Sequence, residues 1–254
     1  MQLRIFINLG NNPLELPIAH HHILASIYYR LMGSEQSMVH DQGKKYGKRE
    51  YRLFTFGPII GKYSIDKQRK HIRFFDHIEM EFRSVNRNMI LEMVSNALAS
   101  GVTFGNVTYT DVHCDVSEFC IKSKCIEIEM VSPICIYRTH KVCERRTFRK
   151  KRRVLYYTPQ MRQFTTAIVG NFTRKYSAAR GELPDDNVRV EVVSIGSKDK
   201  YLTRYKENTI EAYKGIYRLY GPAEYLTFLY DVGLGGKNSQ GFGLFRVRRT
   251  TKIG

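Results

Sequence analysis

The order in which the hydrophobic periodicity changes along the chain most restricts the folds that it can adopt. Apolar residues alternate at positions 3–9, which is typical of a half-buried strand. A stripe at helical spacing follows at residues 20–32, and two strand-like segments lie at 53–56 and 72–82. The first part of the chain is therefore predicted to run strand, helix, strand, strand.

Local signals then predict a second helix and a fourth strand. Asn86 is a suitable N-cap, because its side chain can accept a hydrogen bond from an N–H group of the first turn. An apolar stripe follows at residues 89–98, and Gly101 is a typical helix end. With a last strand at 103–112 the order becomes β-α-β-β-α-β. This is the ferredoxin-like arrangement, in which two helices cover one face of an antiparallel sheet.

The second half repeats this order after a polar stretch at residues 117–124. Its predicted elements are a strand at 126–137, a helix at 158–176 opened by Thr158-Pro159, strands at 188–195 and 208–219, a helix at 222–230 and a strand at 242–247. We therefore predict an α+β protein of tandem ferredoxin-like domains, residues 1–122 and 123–254.

The charge balance favours a polyanionic partner. The sequence has 41 Lys and Arg against 24 Asp and Glu, a formal net charge of +17, and Lys and Arg are the residues that bind phosphates. Nucleic acid is the expected partner, and an acidic membrane surface is the competing one. No apolar run approaches the about 20 residues that span a bilayer, and the opening segment alternates like a strand. We expect a soluble, cytoplasmic protein that does not bind membranes.

Metal and cofactor sites are not predicted. The five cysteines are odd in number and include no Cys-x-x-Cys pair, so reduced thiols are expected and zinc is not. His20, His21 and His22 are consecutive on a predicted helix. Their side chains point about 100° apart, so one helix cannot turn all three toward one ion.

The sharpest motif is Gly233-Leu234-Gly235-Gly236-Lys237-Asn238-Ser239-Gln240-Gly241-Phe242-Gly243. Its glycines allow the backbone to approach a ligand closely and to offer N–H groups to phosphate oxygens. It follows a predicted helix and precedes a strand, the reverse of the dinucleotide-binding fingerprint, and Asn238 stands where a Walker loop requires Ser or Thr. The alternative is a flexible surface turn.

With this motif the chain resembles the CRISPR repeat-processing endoribonucleases of the RAMP (repeat-associated mysterious protein) superfamily, which carry G-x-G-x-K-N-S-x-G-F-G before their last strand. The resemblance extends to the opening strand, the helix at 17–32 and the strands at 53–55 and 132–134. It therefore spans nearly the whole chain and implies two domains of RAMP type. It also implies that the glycine-rich segment binds RNA, at Gly233, Gly235, Gly236, Lys237, Asn238, Ser239, Gly241 and Gly243.

The resemblance further implies a catalytic histidine, tyrosine and lysine at the scissile phosphate. His40 follows the first helix as the family pattern places its histidine. The tyrosine is Tyr28 or Tyr29. Tyr29 is preferred because its separation from Pro17 matches the family without a gap, whereas Tyr28 belongs to the apolar stripe and is expected to pack in the core.

The lysine position departs from the family. Arg52 stands there, just before the strand at 53–56. An arginine can neutralise a phosphate but cannot shuttle a proton, so only the charge-stabilising role carries over. Lys45 and Lys48 are the alternatives for this position.

The implied reaction is attack by the 2′-hydroxyl of the RNA on the neighbouring phosphorus. It gives a 2′,3′-cyclic phosphate and a 5′-hydroxyl and needs no metal, because the substrate supplies the nucleophile. A histidine with an ordinary pKa of about 6.5 can act as acid or base, typically for a 10²- to 10⁴-fold effect. The alternative function is a non-catalytic RAMP-type RNA-binding subunit of a CRISPR effector complex.

The densest charge lies at residues 138–153, where nine Lys and Arg face one Glu. Such a run is often a solvated loop. Here aromatic residues flank it, and we predict a basic hairpin that grips RNA phosphates while its rings stack on unpaired bases. The candidate contacts are Arg145, Arg146, Arg149, Lys150, Lys151 and Arg152. The expected partner is CRISPR repeat RNA; an effector complex and a homodimer are further candidate partners.

Overall fold

The computed structural model describes residues 1–33, 43–143, 150–205 and 208–250. The first domain contains two helices and ten strands within this part of the chain. They are β1 (Gln2–Asn8), β2 (Leu14–Pro17), α1 (His21–Leu31), β3 (Lys44–Tyr46), β4 (Arg49–Tyr51), β5 (Phe54–Phe56), β6 (Ile60–Asp66), β7 (His71–Ser84), α2 (Arg87–Ser100), β8 (Val102–Phe104), β9 (Val107–Tyr109) and β10 (Val112–Ser117).

The main sheet of this domain has the antiparallel order β10-β1-β7-β2, and β5 and β6 also pair with β7. Alternation places the apolar side chains of β1 on one face, where Leu3, Ile5 and Ile7 are fully buried under the helices. Helix α2 begins as predicted, with the Asn86 side chain accepting from the Met89 N–H at 3.2 Å, and ends at Gly101.

The second domain repeats the plan with different additions. Its elements are β11 (Cys125–Met130), β12 (Tyr137–Cys143), β13 (Lys150–Tyr156), α3 (Arg162–Arg180), β14 (Arg189–Ser194), β15 (Lys200–Tyr205), β16 (Asn208–Tyr213), β17 (Ile216–Tyr220), α4 (Ala223–Val232) and β18 (Phe245–Thr250). The sheet order is β14-β17-β11-β18, while β12-β13 and β15-β16 form separate hairpins. In both sheets the first strand of the ferredoxin-like order lies between the third and the fourth: β1 lies between β7 and β10, and β11 lies between β17 and β18. The tandem ferredoxin-like fold is therefore confirmed, and the proposed boundary at 122/123 falls between β10 and β11.

Three predicted strands were placed wrongly because a turn interrupts the alternation. Residues 103–112 were predicted as the last strand of the first sheet, but Gly105, with φ +58°, folds them into the β8-β9 hairpin. The strand that pairs with β1 is β10, which ends inside the supposed polar stretch. Likewise Gly215, with φ +110°, divides the predicted strand at 208–219 into β16 and β17. The predicted strand at 242–247 begins only at Phe245.

Proline explains two further errors. The predicted strand at 126–137 ends at Met130, because Pro133 has no N–H for a ladder; Ile134 and Cys135 then form isolated bridges only. The strand expected at 132–134 is therefore absent. Thr158-Pro159 forms a turn closed by the Met161 N–H on the Thr158 carbonyl, at 2.9 Å, and the helix runs from Arg162 to Arg180 instead of 158–176.

A buried polar network joins the two domains. The Arg83 side chain, 1% exposed, pairs with Glu81 on the same strand and donates to the carbonyl of Phe245 at 2.8 Å. Its guanidinium also lies 3.6 Å from the centre of the Tyr230 ring, a cation–π contact. Gln2 donates to Glu81 and accepts from the Tyr230 hydroxyl, both at 3.0 Å. Strand β7 is thereby bound to α4 and β18 of the second domain.

Candidate functional site

The segment 233–243, which we call the glycine-rich loop, lies between the two domains. Gly233, Gly235, Gly241 and Gly243 all have positive φ, which side chains rarely adopt. There is also no room for side chains: a Cβ at Gly241 would lie 2.7 Å from atoms of both His21 and Phe56. Gly233 and Gly241 therefore pack closely against the first domain and Gly235 against the second, and all four glycines are buried.

A buried lysine and an asparagine hold the loop from inside. Lys175 donates to the Gly233 carbonyl at 2.9 Å and to Asn238 Oδ1 at 2.6 Å, and Asn238 donates to two further loop carbonyls. Burial lowers the pKa of Lys175 to about 7, because the charged form loses its hydration. The neutral amine has two N–H groups, which matches these two acceptors. Asn238, predicted to contact RNA, thus has a structural role in its loop.

His21 connects the loop to the first helix and to the β15-β16 hairpin. Its Nδ1 lies 3.3 Å from the Gln240 carbonyl and its Nε2 lies 3.1 Å from the Tyr201 hydroxyl. The ring also stacks on Phe242 at 5.5 Å. Burial, assisted by the neighbouring His20, lowers the pKa of His21 to about 4. The ring is therefore neutral at pH 7, with Nδ1 donating to Gln240 and Nε2 accepting from Tyr201.

An open cleft of about 930 Å³, which we call the interdomain cleft, lies between the domains. Four cationic residues line it, from both domains, and Phe54 and Phe228 supply apolar surface. The lining residues are Gly43, Lys44, Lys45, Tyr51, Arg52, Leu53, Phe54, Ser84, Val85, Asn86, Met89, Ala179, Arg180 and Phe228. A cleft with cations and apolar surface is suited to a ligand that carries both phosphates and bases.

Of the three predicted catalytic residues, one lines this cleft and a second contacts a residue of its lining. Arg52 lines it, and Tyr29 packs edge-on against the lining residue Phe54, with ring centres 5.9 Å apart. Tyr28 is 1% exposed, and its hydroxyl donates to the Glu81 carbonyl at 3.2 Å, so its core role is confirmed. His40 lies outside the described residues, while Gly43, three positions later, lines the cleft.

The two alternatives to Arg52 differ in position. Lys45 lies on β3 and lines the cleft beside Arg52, where its amine is 3.8 Å from Glu50. Lys48 is exposed in the turn between β3 and β4 and does not line the cleft. The geometry therefore favours Lys45 over Lys48 as a second cation at this site.

The predicted RNA contacts separate into buried and accessible groups. Within the glycine-rich loop, Gly236, Lys237 and Ser239 are only half-buried and can reach a ligand. The predicted basic hairpin is formed by β12 and β13. Of its candidates, Arg145, Arg146 and Arg149 lie outside the described residues; for Lys150, Lys151 and Arg152 the structure describes the strand but not the side chains.

Sequence reasoning missed Lys175 and His21. Lys175 had a usable signal, because it follows Ile168 by seven residues and Phe172 by three and so shares the apolar stripe of α3. His21 had none, since its partners lie 219 and 180 residues away in sequence.

Among the described residues, no group of three or more His, Cys, Asp or Glu is arranged to hold a metal ion. No helix in this part of the chain has the length and apolar character needed to cross a membrane.

Two sequence comparisons relate the chain to known proteins. A family model described as CRISPR associated protein Cas6, C-terminal, matches residues 114–247. The CRISPR-associated endoribonuclease Cas6 of Pyrococcus furiosus is 33% identical over 97 residues, which cover 37% of this chain and 36% of that protein. The match thus spans little more than a third of that relative.

Solved structures share the whole fold. A CRISPR associated protein Cas6 superposes with a TM-score of 0.77 at 21% identity, covering 98% of this chain and 99% of that one. A RAMP protein described as binding different RNA substrates also has a TM-score of 0.77, at 20% identity over 98% and 100% of the two chains. The product of a Cas6-related gene from Pyrococcus furiosus has a TM-score of 0.75, at 20% identity over 97% and 98%. At these identities the likeness establishes the fold alone.

Proposed function

This chain belongs to the Cas6 family of CRISPR-associated proteins, and from that premise we propose that it is an endoribonuclease that cuts CRISPR precursor RNA within its repeats. The cut is made by the 2′-hydroxyl of the RNA, without a metal ion. The products carry a 2′,3′-cyclic phosphate and a 5′-hydroxyl and serve as guide RNAs for an effector complex.

The observation that carries this proposal is the chemistry gathered at the interdomain cleft. Arg52 and Lys45 offer positive charge at its wall, and Tyr29 packs edge-on against Phe54, one of the lining residues. Both domains contribute to its lining. A site of this kind can position a phosphate and offset the charge that develops on it, the two tasks that 2′-hydroxyl attack requires of the protein.

In this mechanism the three residues have separate roles. His40 accepts or donates a proton, with a typical contribution of about 10²- to 10⁴-fold. Tyr29 orients the reacting groups or assists at the other oxygen. Arg52 stabilises the negative charge of the phosphorane as a fixed cation, since a guanidinium does not release its proton at ordinary pH.

A second candidate is a non-catalytic RNA-binding subunit of the RAMP type. Two observations favour it: Arg52 stands at the family's lysine position, and one structural relative is described only as binding different RNA substrates. Such a protein retains the cationic cleft and the glycine-rich loop but has no need of His40 or Tyr29.

The deciding experiment compares two end-labelled repeat RNAs from the host, incubated with the protein in EDTA. One is unmodified, and the other carries a single 2′-deoxy nucleotide just upstream of the cut. We expect cleavage of the unmodified RNA alone. Equal cleavage of both would exclude attack by the 2′-hydroxyl. Tight binding with no cleavage of either would favour the non-catalytic subunit.

A further inference from the structure

A second concave surface, which we call the hairpin groove, lies where the β3-β4 hairpin meets the glycine-rich loop and α3. Its volume is about 370 Å³, near the lower end of ligand pockets, roughly 300–1,000 Å³. Three cations line it, Arg49, Arg174 and Lys237. The groove also contains Glu50, so three cations face one carboxylate. It is therefore a small positive site beside the interdomain cleft, and Tyr51 lines both.

Neighbouring groups hold two of the three cations, Arg174 and Lys237. Arg174 donates through Nε to the Tyr51 hydroxyl at 3.1 Å, which leaves its terminal nitrogens for another acceptor. Gly170 leaves space for this guanidinium, because a Cβ there would lie 3.3 Å from Arg174 Nη1. Lys237 has a left-handed backbone, and its amine lies 5.2 Å from the centre of the Tyr137 ring. Both cations thus lie beside tyrosine side chains in the same groove.

Two further groups in the groove are suited to a base and its sugar. Tyr137 is 39% exposed, so part of its ring is available for contact. The Oδ1 atom of Asn171 is buried and has no hydrogen-bond partner among the described residues. A buried acceptor without a partner is costly to the fold. A ligand that donates a hydrogen bond to it removes that cost.

We propose that the hairpin groove is a binding subsite for one unpaired nucleotide of RNA. Arg49, Arg174 and Lys237 hold its phosphate, as cations do in single-strand grooves. The base lies against Tyr137, and Asn171 Oδ1 accepts from a base amino group or from the ribose 2′-hydroxyl. The inference rests on the proposed function for the RNA ligand, but not on cleavage.

The test measures binding of short fluorescent RNAs by anisotropy, using octamers of A, of U and of 2′-deoxy-A, with the whole protein. Replacing Tyr137 with Leu should weaken A-octamer binding about 5- to 100-fold, the usual effect of removing a stacking ring. Arg174→Gln should weaken binding and reduce the slope of log Kd against log salt by about 0.7, one phosphate contact on a single strand. Arg69→Gln removes the same charge from the exposed turn after β6 and should leave this slope unchanged.

Asn171→Leu separates a ligand contact from a structural one. A side chain that mattered only for folding would lower Tm when replaced. Removal of an unpaired acceptor should instead leave Tm unchanged or higher while binding weakens. If the penalty disappears with the 2′-deoxy octamer, the donor is the 2′-hydroxyl; if it disappears with the U octamer, the donor is a base amino group. Either result supports the subsite.

The outcome does not depend on the proposed cleavage. Wild-type affinity in both the Tyr137→Leu and Arg174→Gln proteins would overturn the subsite, even if repeat RNA is still cut. Weakened octamer binding in these variants, beside a wild-type protein that binds repeat RNA without cutting it, would retain the subsite and reject the endoribonuclease.

Discussion

The two domains have the same sheet order but carry their additional hairpins at different junctions. In the first domain, the β3-β4 hairpin lies between the first helix and the next strand of the sheet. In the second domain, β12-β13 precedes the first helix, and β15-β16 separates the second and third strands. The first set of additions borders the interdomain cleft, whereas the second set and the glycine-rich loop provide basic and aromatic surface. The shared sheet is thus a scaffold, and the candidate activity of each domain depends on what is inserted into it.

If proton transfer belongs to the first domain and RNA binding mainly to the second, His40→Ala should lower the cleavage rate about 10²- to 10⁴-fold. The affinity for uncleaved repeat RNA should change little. Single-turnover cleavage and filter binding measure the two effects. Product formation at the wild-type rate would exclude His40 from the mechanism. It would also contradict the assignment of proton transfer to the first domain and RNA binding to the second.

The domain interface should depend on the buried Arg83–Glu81 pair. Arg83→Met leaves the Glu81 carboxylate buried without its partner, and we expect a loss of about 3–5 kcal/mol in the free energy of unfolding. The double variant Arg83→Met/Glu81→Gln should recover part of that loss, because the amide carries no charge. Urea denaturation measures both. Equal stability of the single and double variants would show that the charge of Glu81 contributes nothing.

Lys175 should make the stability of the second domain depend on pH between about 7 and 10.5. Its pKa is lowered in the folded protein to about 7 from 10.5. The unfolded chain therefore binds more protons between these values, and the stability that this group contributes falls as the pH decreases from about 10.5 to 7. Lys175→Met loses two hydrogen bonds to the loop and no longer titrates.

The difference in unfolding free energy between the wild type and Lys175→Met should therefore be larger at pH 9.5 than at pH 6.5, by roughly 1–3 kcal/mol. The matched control is Lys122→Met, at an exposed lysine, which should follow the wild type at both pH values. A constant difference across this range would mean that Lys175 remains charged in the folded protein.

The smallest expected effect is on the cleavage rate when two lysines of the same hairpin are replaced one at a time. Lys45→Gln removes a cation from the cleft wall, and Lys48→Gln removes one from the turn. Because exposed charges contribute about 0–1 kcal/mol, we expect a loss of up to about fivefold in cleavage at low salt for Lys45→Gln. Lys48→Gln should lose less than about twofold. A larger effect at Lys48 would reverse their ranking at the site.

Elements with a complete local signal were predictable from the sequence. Strand β1 follows its alternation, and α2 has both its Asn86 cap and its Gly101 end. The fourth strand of the first sheet was misplaced, because the β8-β9 hairpin alternates as well as a sheet strand does. Only its pairing with β1, more than 100 residues earlier, distinguishes β10 from the β8-β9 hairpin. Arg52 lines the interdomain cleft, and its place at the scissile phosphate stays a prediction. The role of Arg83 depends on acceptors in the other domain, which no local pattern contains.

The long sequence separation between Arg83 and its acceptor Phe245 also has a consequence for synthesis on the ribosome. The sheet of the first domain is complete once β10 has emerged, whereas the Phe245 carbonyl that accepts from Arg83 lies 128 residues after Ser117, the last residue of β10. At about 5–20 residues per second, the ribosome makes that stretch in roughly 6–26 s. During this interval the nascent first domain exposes Arg83 and the surface around it to water and to other proteins. The contact that joins the two domains is therefore among the last to form as the chain emerges.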